Sequence, residues 1–346
     1  MAPRAFITGL SGTTLTAYER SFLREARPFG LILFKRNVQT RTQVSVLVAE
    51  SLHELGTKAP VLIDQEGGRV QRLQPPEWRA YPPGAAYGAL YDRDRAAGLK
   101  AAHLGARLIA ADLMEIGIDV DCLPLADVPV PGSDNVIGDR AYGDEPVKVA
   151  AIARAVADGL MEGGVLPVLK HIPGHGRANA DSHLALPTVD APRKTLDRTD
   201  FAAFRPLKDL PLGMTAHVVY TAIDPLQPAT TSATIIDQVI RKFIGFGGLL
   251  MGDDVSMNAL SGTIAERSRA AFAAGCDVVL HCNGDPSEMA AVAGAAPKLE
   301  GEAAKRAEAA LAQRSAPEAF DADAARKIFT QMVDAEQPSS SRKTGS

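Results

Sequence analysis

Short apolar runs alternate with longer amphipathic segments along this chain. Continuous apolar runs are typical of strands that are buried on both faces. They occupy residues 5–8, 30–34, 61–64, 120–125, 165–170, 212–218, 248–251 and 276–280. Segments with helical spacing or an alanine-rich composition occupy residues 15–27, 42–55, 95–116, 147–161, 232–243, 264–274 and the region from there to about residue 335. The pattern predicts strands that alternate with helices.

This alternation predicts a parallel sheet, because parallel strands are joined by helical crossovers. Eight strand–helix units in roughly 335 residues match the size of a closed (β/α)8 barrel of the TIM type. An open doubly wound sheet is the alternative. Since the composition does not shift along the chain, we expect one catalytic barrel domain over residues 1–336. Residues 337–346 are rich in Ser, Lys and Gly, and are predicted to be a disordered tail.

Reactive polar residues follow most of the predicted strands, at the point where each strand ends. They are Asp64, Asp127, Lys170 with His171, His217, Asp253, and His281 with Asn283. The carboxyl ends of barrel strands converge on one mouth, whereas those of an open sheet are spread along an edge. We favour the barrel because it would bring these side chains into a single site.

Composition and charge narrow the class of protein. The chain has 346 residues, of which 46% are hydrophobic, and this is typical of a globular protein with a sizeable core. A formal net charge of −4 gives no electrostatic reason to expect nucleic acid or an anionic membrane as a partner. No apolar run reaches the roughly 18 residues of a transmembrane helix.

The cysteines and the first residues bear on the compartment. Cys122, Cys276 and Cys282 lie in or beside apolar runs and cannot all pair, so we interpret them as reduced core thiols. The N-terminal residues lack the apolar core of a signal peptide. We therefore expect a cytoplasmic protein, and we expect it to act as a monomer without a cofactor.

The densest chemistry lies in residues 169–183, directly after an apolar run. One interpretation is a polar surface loop. A second is a metal site, since His171, His175, Asp181 and His183 are all possible ligands. The spacing of the first two histidines matches the helical zinc motif, but Pro173 and Gly174 between them break a helix.

The third interpretation of this segment is acid–base catalysis. Asp181 and His183 are two residues apart, so their side chains point the same way in an extended loop. A carboxylate beside an imidazole favours its charged form and fixes its tautomer. His183 is thus the predicted proton donor and acceptor, and Asp181 its partner.

Another pair of acids, Asp253 and Asp254, follows an apolar strand. One of them could simply cap the next helix, but a carboxylate at a barrel strand end can also be a nucleophile. Asp253 is nearer the strand, so we assign it the chemistry and Asp254 a supporting role.

A third cluster, residues 64–72, contains Asp64, a Gly67–Gly68 pair and Arg72. The glycines resemble a phosphate loop only weakly, because the Lys and Ser/Thr of a P-loop are missing. Asp64 with Arg72 suits hydroxyl recognition, although a purely structural ion pair is an alternative. Arg140, on a further loop, is also available for ligand contact.

Together these stretches resemble a known family. The sequence Lys170-His171-Ile-Pro-Gly-His175-Gly-Arg-Ala-Asn-Ala-Asp181-Ser-His183 resembles the signature of glycoside hydrolase family 3. The segments Asp64-Gln-Glu-Gly-Gly-Arg-Val-Gln-Arg72 and Gly252-Asp253-Asp254-Val-Ser-Met257 resemble its β-N-acetylglucosaminidase branch. The similarity covers essentially the whole chain. Two positions depart from the usual pattern: Ile172 replaces an aromatic residue, and Gly252 replaces the serine before the nucleophile.

The resemblance implies a single (β/α)8 barrel and retaining removal of terminal β-linked N-acetylglucosamine from anhydromuropeptides of the recycled cell wall. It implies that Asp253 is the nucleophile and that His183 with Asp181 is the acid–base dyad. The sugar-binding positions that it implies are Asp64, Arg72, Arg140, Lys170 and His171. A glycoside phosphorylase on the same framework, a non-catalytic sugar-binding barrel and a zinc hydrolase remain alternative functions.

Overall fold

A computed structural model describes residues 2–182 and 184–334 of the chain. Eight parallel strands form a closed barrel in this part of the chain. They are β1 (Arg4–Gly9), β2 (Pro28–Leu33), β3 (Val61–Ile63), β4 (Val120–Asp121), β5 (Leu166–Ile172), β6 (Leu212–Thr215), β7 (Leu249–Asp254) and β8 (Val278–His281). Each strand pairs with the next along the chain, and β8 closes the barrel on β1 with Phe6 opposite Val279. The predicted barrel is confirmed, and the open sheet is wrong.

Successive residues of a strand face opposite sides of the barrel wall, so one apolar run supplies two cores. On β2, Ile32 belongs to an inner cluster with Ile7 of β1, while Leu31 and Leu33 pack in an outer cluster with the helices. All are almost completely buried. Burial on both sides explains why the strands read as continuous apolar runs rather than as alternating ones.

Helices cover the outside of the barrel. They are α1 (Ala17–Ala26), α2 (Arg41–Leu55), α3 (Gly84–Arg93), α4 (Arg95–Met114), α5 (Pro146–Glu162), α6 (Arg193–Arg198), a π-helix (Ile235–Ile244), α7 (Ile264–Ala274), α8 (Pro286–Ala295), α9 (Gly301–Leu311) and α10 (Ala322–Asp334). Local signals set several of the ends. Thr16 with Glu19 forms a capping box before α1, and Thr263 with Glu266 forms another before α7. Within the described residues, none of these helices combines the length and the apolar composition needed to cross a membrane.

The structure differs from the predicted elements in three places. Helix α3 forms in a region for which the sequence pattern predicts no helix. Between β5 and β6 the only α-helix in the described residues is the short α6, so the strict alternation is wrong there. Residues 232–243, predicted as an ordinary helix, wind largely as the π-helix. The three cysteines are buried free thiols, as predicted, and the predicted tail at 337–346 lies outside the described residues.

Candidate active site

The carboxyl ends of the strands surround a cavity of about 140 Å³. Six of the predicted site residues line it: Asp64, Arg72, Arg140, Lys170, His171 and Asp253. Asp181 is not among the lining residues, although its neighbour Ser182 is. His183 lies outside the described residues. Barrel closure thus gathers residues that are far apart in sequence at one mouth.

A network of charges occupies one side of the cavity. Asp64, just after β3, accepts a hydrogen bond from Arg72 Nη2 at 2.9 Å and another from Lys170 Nζ, also at 2.9 Å. Lys170 Nζ lies 2.6 Å from Glu66 Oε1. Arg140 donates two hydrogen bonds to the Glu66 carboxylate, from Nε and Nη2, both of 2.8 Å. The network binds three cations to two carboxylates.

Burial by itself opposes ionisation of these groups, yet their partners outweigh it. Lys170 and Arg72 hold the pKa of Asp64 below its usual value, and Arg140 with Lys170 does the same for the pKa of Glu66. The two carboxylates in turn raise the pKa of Lys170. Asp64, Glu66 and Lys170 therefore stay charged at neutral pH. The network forms a fixed set of donors and acceptors, which suits the hydroxyl groups of a sugar.

Sequence reasoning assigned no role to Glu66, although its side chain is only 4% exposed and joins two predicted binding residues. The sequence does contain a feature that could have identified Glu66. Glu66 is two residues after Asp64 and belongs to the short strand Gln65–Gly67, so period-two spacing puts both acids on the same side. Phe34 is another missed residue: it lines the cavity, with Arg36 and Arg72 stacked on its ring at 5.1 and 5.2 Å.

Backbone geometry accounts for the Gly67–Gly68 pair. Gly67 has a φ of +97°, and a Cβ there would lie 2.3 Å from the carbonyl oxygen of Pro82. Gly68 also has a positive φ, of +56°. The pair makes the turn between the short strands Gln65–Gly67 and Val70–Gln71, which carries Arg72 back toward Asp64. The glycines therefore serve the turn itself.

Arg69 anchors the loop that carries Arg140. Its Nη2 donates to the carbonyl oxygens of Asn135 at 2.6 Å and Val136 at 2.8 Å, and its Nε donates to Asp139 at 2.9 Å. Because these bonds tie the loop to the turn after β3, Arg140 is held where it can bind Glu66.

The end of β5 contains a second buried network. Asp127 is fully buried, and its Oδ2 lies 2.7 Å from His171 Nδ1. Its Oδ1 accepts the backbone N–H of His175 at 2.6 Å. Burial opposes ionisation of Asp127, but His171 outweighs it and the pKa of Asp127 is lowered. Since Nδ1 of His171 is occupied, Nε2 is the ring nitrogen that can contact a ligand.

His175 is almost completely buried at the base of the loop that follows β5. Burial, and then the neighbouring His171, lowers the pKa of His175 to about 4. Its Nε2 lies 3.4 Å from Ser182 Oγ. A neutral His175 thus contacts the segment that carries Asp181.

The two acids at the end of β7 both line the cavity but have different hydrogen-bond partners. Asp253 accepts the backbone N–H of Asp254 on its Oδ1 at 2.8 Å. The side chain of Asp254 is used in the wall: it accepts the backbone N–H of Cys282 at 3.1 Å and the hydroxyl of Ser256 at 2.6 Å. Asp254 therefore ties the end of β7 to the segment just after β8.

The unusual Gly252 has a packing explanation. A Cβ at this position would lie 3.2 Å from Thr230 Cγ2. A serine here would need Thr230 to move by a few tenths of an ångström. The other departure, Ile172, is fully buried and apolar like the residue it replaces.

The predicted metal-site alternative finds no support in the part of the chain that the structure describes. There, no three His, Cys, Asp or Glu side chains gather in a way that could hold a metal ion. His183, one of the four possible ligands, is outside this part.

A (β/α)8 barrel with a carboxylate at a strand end, opposite a fixed array of buried charges, is compatible with a glycoside hydrolase. Comparison with known proteins agrees. Residues 11–314 match the glycosyl hydrolase family 3 N terminal domain, and the chain belongs to this family. The resemblance seen in the sequence is thereby confirmed, as is the assignment to the glycoside hydrolases.

Individual relatives extend over most of the chain. A β-hexosaminidase of Alkalilimnicola ehrlichii is 43% identical over 281 residues, which are 80% of this chain and 79% of that protein. NagZ of Neisseria gonorrhoeae, solved in complex with N-trifluoroacetyl-D-glucosamine, has a TM-score of 0.84 at 31% identity, and the match covers 96% of this chain and 97% of that one. A family 3 β-N-acetylglucosaminidase of Paenibacillus sp. also has a TM-score of 0.84, at 29% identity; the match covers 95% of this chain but only 66% of that longer chain.

Proposed function

We propose that this protein is a retaining β-N-acetylhexosaminidase that removes terminal β-linked N-acetylglucosamine. The observation that carries the proposal is that Asp253 and the network of Asp64, Lys170, Glu66 and Arg140 line one cavity at the barrel mouth. A nucleophile and a sugar-binding array on the same small site are what glycoside cleavage requires. The β-hexosaminidase relatives support the choice of sugar.

In this proposal the carboxylate of Asp253 attacks the anomeric carbon. The bond from that carbon to the leaving oxygen breaks as a bond to Asp253 forms, which gives a covalent glycosyl-aspartate. The N–H of Asp254 donates to Asp253 Oδ1 and so holds the carboxylate in one orientation. Preorganisation of this kind places the reacting atoms in an attack geometry.

His183, oriented by Asp181, gives a proton to the leaving oxygen. The same imidazole then takes a proton from the water that hydrolyses the intermediate, so the enzyme returns to its first state. Asp181 lies in the segment that follows β5, on the side of the barrel where active-site groups stand. Asp64, Arg72, Arg140, Lys170 and His171 bind the hydroxyl and acetamido groups of the sugar.

We further propose that the natural substrates are anhydromuropeptides of the recycled cell wall. On this view the protein acts in the cytoplasm as a monomer, with residues 1–336 as its catalytic domain and no cofactor. The support is the similarity of the three sequence stretches to the β-N-acetylglucosaminidase branch of the family.

Incubation with a purified anhydromuropeptide and mass analysis of the products tests this function. We expect free N-acetylglucosamine and the shortened muropeptide, with the same products when phosphate is added. A sugar phosphate would instead identify a glycoside phosphorylase. No turnover of either the muropeptide or an aryl β-N-acetylglucosaminide would contradict hydrolysis altogether.

An activated fluorosugar that slows breakdown of the intermediate tests the covalent step. The peptide that contains Gly252–Met257 should gain the mass of the sugar, on Asp253, and Asp253→Ala should abolish both labelling and turnover. The matched variant Asp254→Asn should still be labelled. A label on Asp254, or robust turnover by Asp253→Ala, would overturn the assignment.

A further inference from the structure

We propose that His217 is a positioning residue for the nucleophile, acting through Thr215 and Thr230. It is one of the strand-end residues that the sequence marks as reactive, and the mechanism above does not use it. It is fully buried, as are both threonines. The inference rests on the proposed role of Asp253.

A chain of hydrogen bonds connects the two peptide groups that flank the one joining Asp253 to Asp254. On one side, the backbone N–H of Asp253 donates to Thr215 Oγ1 at 3.4 Å. The hydroxyls of Thr215 and Thr230 are 2.7 Å apart, and Thr230 Oγ1 is 2.7 Å from His217 Nδ1. On the other side, His217 Nε2 lies 3.0 Å from the carbonyl oxygen of Asp254.

The direction of these bonds follows from the chemistry of their ends. A carbonyl oxygen only accepts, so His217 Nε2 donates to that of Asp254. In the tautomer that carries its proton on Nε2, Nδ1 accepts from Thr230 at 2.7 Å, a shorter contact than the 3.2 Å from the same hydroxyl to the carbonyl oxygen of Ala216. Thr230 then accepts from Thr215, whose oxygen in turn accepts from the N–H of Asp253. Every bond in the chain therefore has a donor and an acceptor.

This chain controls the peptide group on which the nucleophile depends. The N–H of that group, which belongs to Asp254, is the donor that holds Asp253 Oδ1 at 2.8 Å. The chain fixes the peptide groups on either side of it, through the N–H of Asp253 and the carbonyl of Asp254, while the side chain of Asp254 binds the backbone N–H of Cys282, just after β8. Rotation of the peptide would move its N–H away from the carboxylate, so the buried chain sets the direction in which Asp253 points.

None of the three side chains lines the cavity, which distinguishes them from substrate-binding groups. Loss of the chain should therefore slow the attack of Asp253 without weakening the binding of the sugar. A misplacement of about 1 Å far from the reacting atoms can reduce a rate about 100-fold.

The variants Thr230→Val and Thr230→Ser test the inference. Valine matches the shape of threonine but lacks its hydroxyl, whereas serine keeps the hydroxyl and loses a methyl group. We expect Thr230→Val to slow both turnover and fluorosugar labelling of Asp253 by about 10- to 100-fold, with unchanged affinity for N-acetylglucosamine in calorimetry. Thr230→Ser should be labelled at a rate close to that of the parent protein.

A second pair, Thr215→Val and Thr215→Ser, repeats the test at the other threonine. Thr8→Val is the control, because Thr8 is equally buried in β1 and its hydroxyl, among the described residues, bonds to the carbonyl oxygen of Gly9 and not to the chain at Asp253. All rates are measured well below the melting temperature of each variant, with the folded fraction checked by circular dichroism.

Labelling of both valine variants at the parental rate would overturn the role of the chain. Equal losses in the valine and serine variants, or a parallel loss of sugar affinity, would also overturn it, since these results indicate packing or binding. If the parent protein is not labelled on Asp253 at all, the proposed nucleophile is wrong and this inference is wrong with it. Labelling of the parent protein is therefore measured first, so that a wrong nucleophile is distinguished from a wrong role for the chain.

Discussion

Lys170 Nζ lies 2.9 Å from Asp64 Oδ1, and this pair links the ends of β5 and β3 across the intervening strand β4. The lysine side chain is only 2% exposed, and the aspartate side chain 14%. An ion pair this deep at the barrel mouth has two effects. It holds two parts of the wall together, and it keeps a carboxylate ionised where a sugar hydroxyl can bind it.

Lys170→Met should therefore reduce both stability and substrate affinity. Removing one partner from a buried pair leaves Asp64 and Glu66 undercompensated, and it typically costs about 3–5 kcal/mol. Urea unfolding measures the stability, and calorimetry with N-acetylglucosamine measures the affinity. Lys242→Met is the control, because Lys242 pairs with Asp237 on the exposed surface and should lose less than about 1 kcal/mol. Equal losses in the two variants would contradict a structural role for the Lys170 pair.

His183→Ala should slow the hydrolysis of substrates with poor leaving groups far more than that of activated aryl substrates. Protonation of the leaving oxygen by a general acid contributes roughly 10²–10⁴-fold, and an activated leaving group hardly needs it. The measurement is kcat/KM for a series of aryl β-N-acetylglucosaminides of decreasing leaving-group acidity. Equal losses along the whole series would remove His183 from the acid role.

His175 should make the protein less stable as the pH falls from 6.5 to 4. Its pKa is lowered from 6.5 to about 4 in the folded protein, so between these values the unfolded chain binds the additional proton. Stability then rises with pH across this window, by about 3 kcal/mol in total. We measure the free energy of unfolding in urea at several pH values. Its dependence on pH should be weaker for His175→Gln than for the parent protein, and should be the same as in the parent for the exposed control His53→Gln. An unchanged slope in His175→Gln would argue that this histidine is protonated in the folded state.

Asp121→Asn should stabilise the protein at neutral pH and have a smaller effect near pH 4. Burial raises the pKa of Asp121 well above its usual value, and its Oδ2 has no hydrogen-bond partner in the described part of the chain. A carboxyl group with a raised pKa favours folding at low pH, and this contribution is lost as the pH rises through the folded pKa. Asparagine retains an oxygen that accepts from the N–H of Gln65, and its amide does not titrate, so its contribution to stability does not change with pH. Comparison of unfolding free energies at pH 4 and pH 8 gives the answer; a greater gain at pH 4 would contradict the raised pKa.

Many of the strands and helices can be predicted from local sequence patterns. Strands buried on both faces must be continuously apolar, so the apolar runs identify the strands, and helical spacing identifies the helix within residues 15–27. The clustering of Lys170, His171, Asp181 and His183 within fourteen residues likewise needs no tertiary information. These features depend on neighbours in the sequence, which is why the sequence by itself determined them.

Only the tertiary structure decided which side chains of the site bind each other. Glu66 binds Arg140, which is 74 residues further along the chain. His217 binds the carbonyl oxygen of Asp254, 37 residues away. The segment between β5 and β6 also has little helix where regular alternation predicts one. Such contacts arise because closure of the barrel brings the strand ends to one mouth, and no local periodicity records which of the gathered side chains bind each other. The sequence thus determines which residues stand at the mouth, and the folded barrel determines their partners.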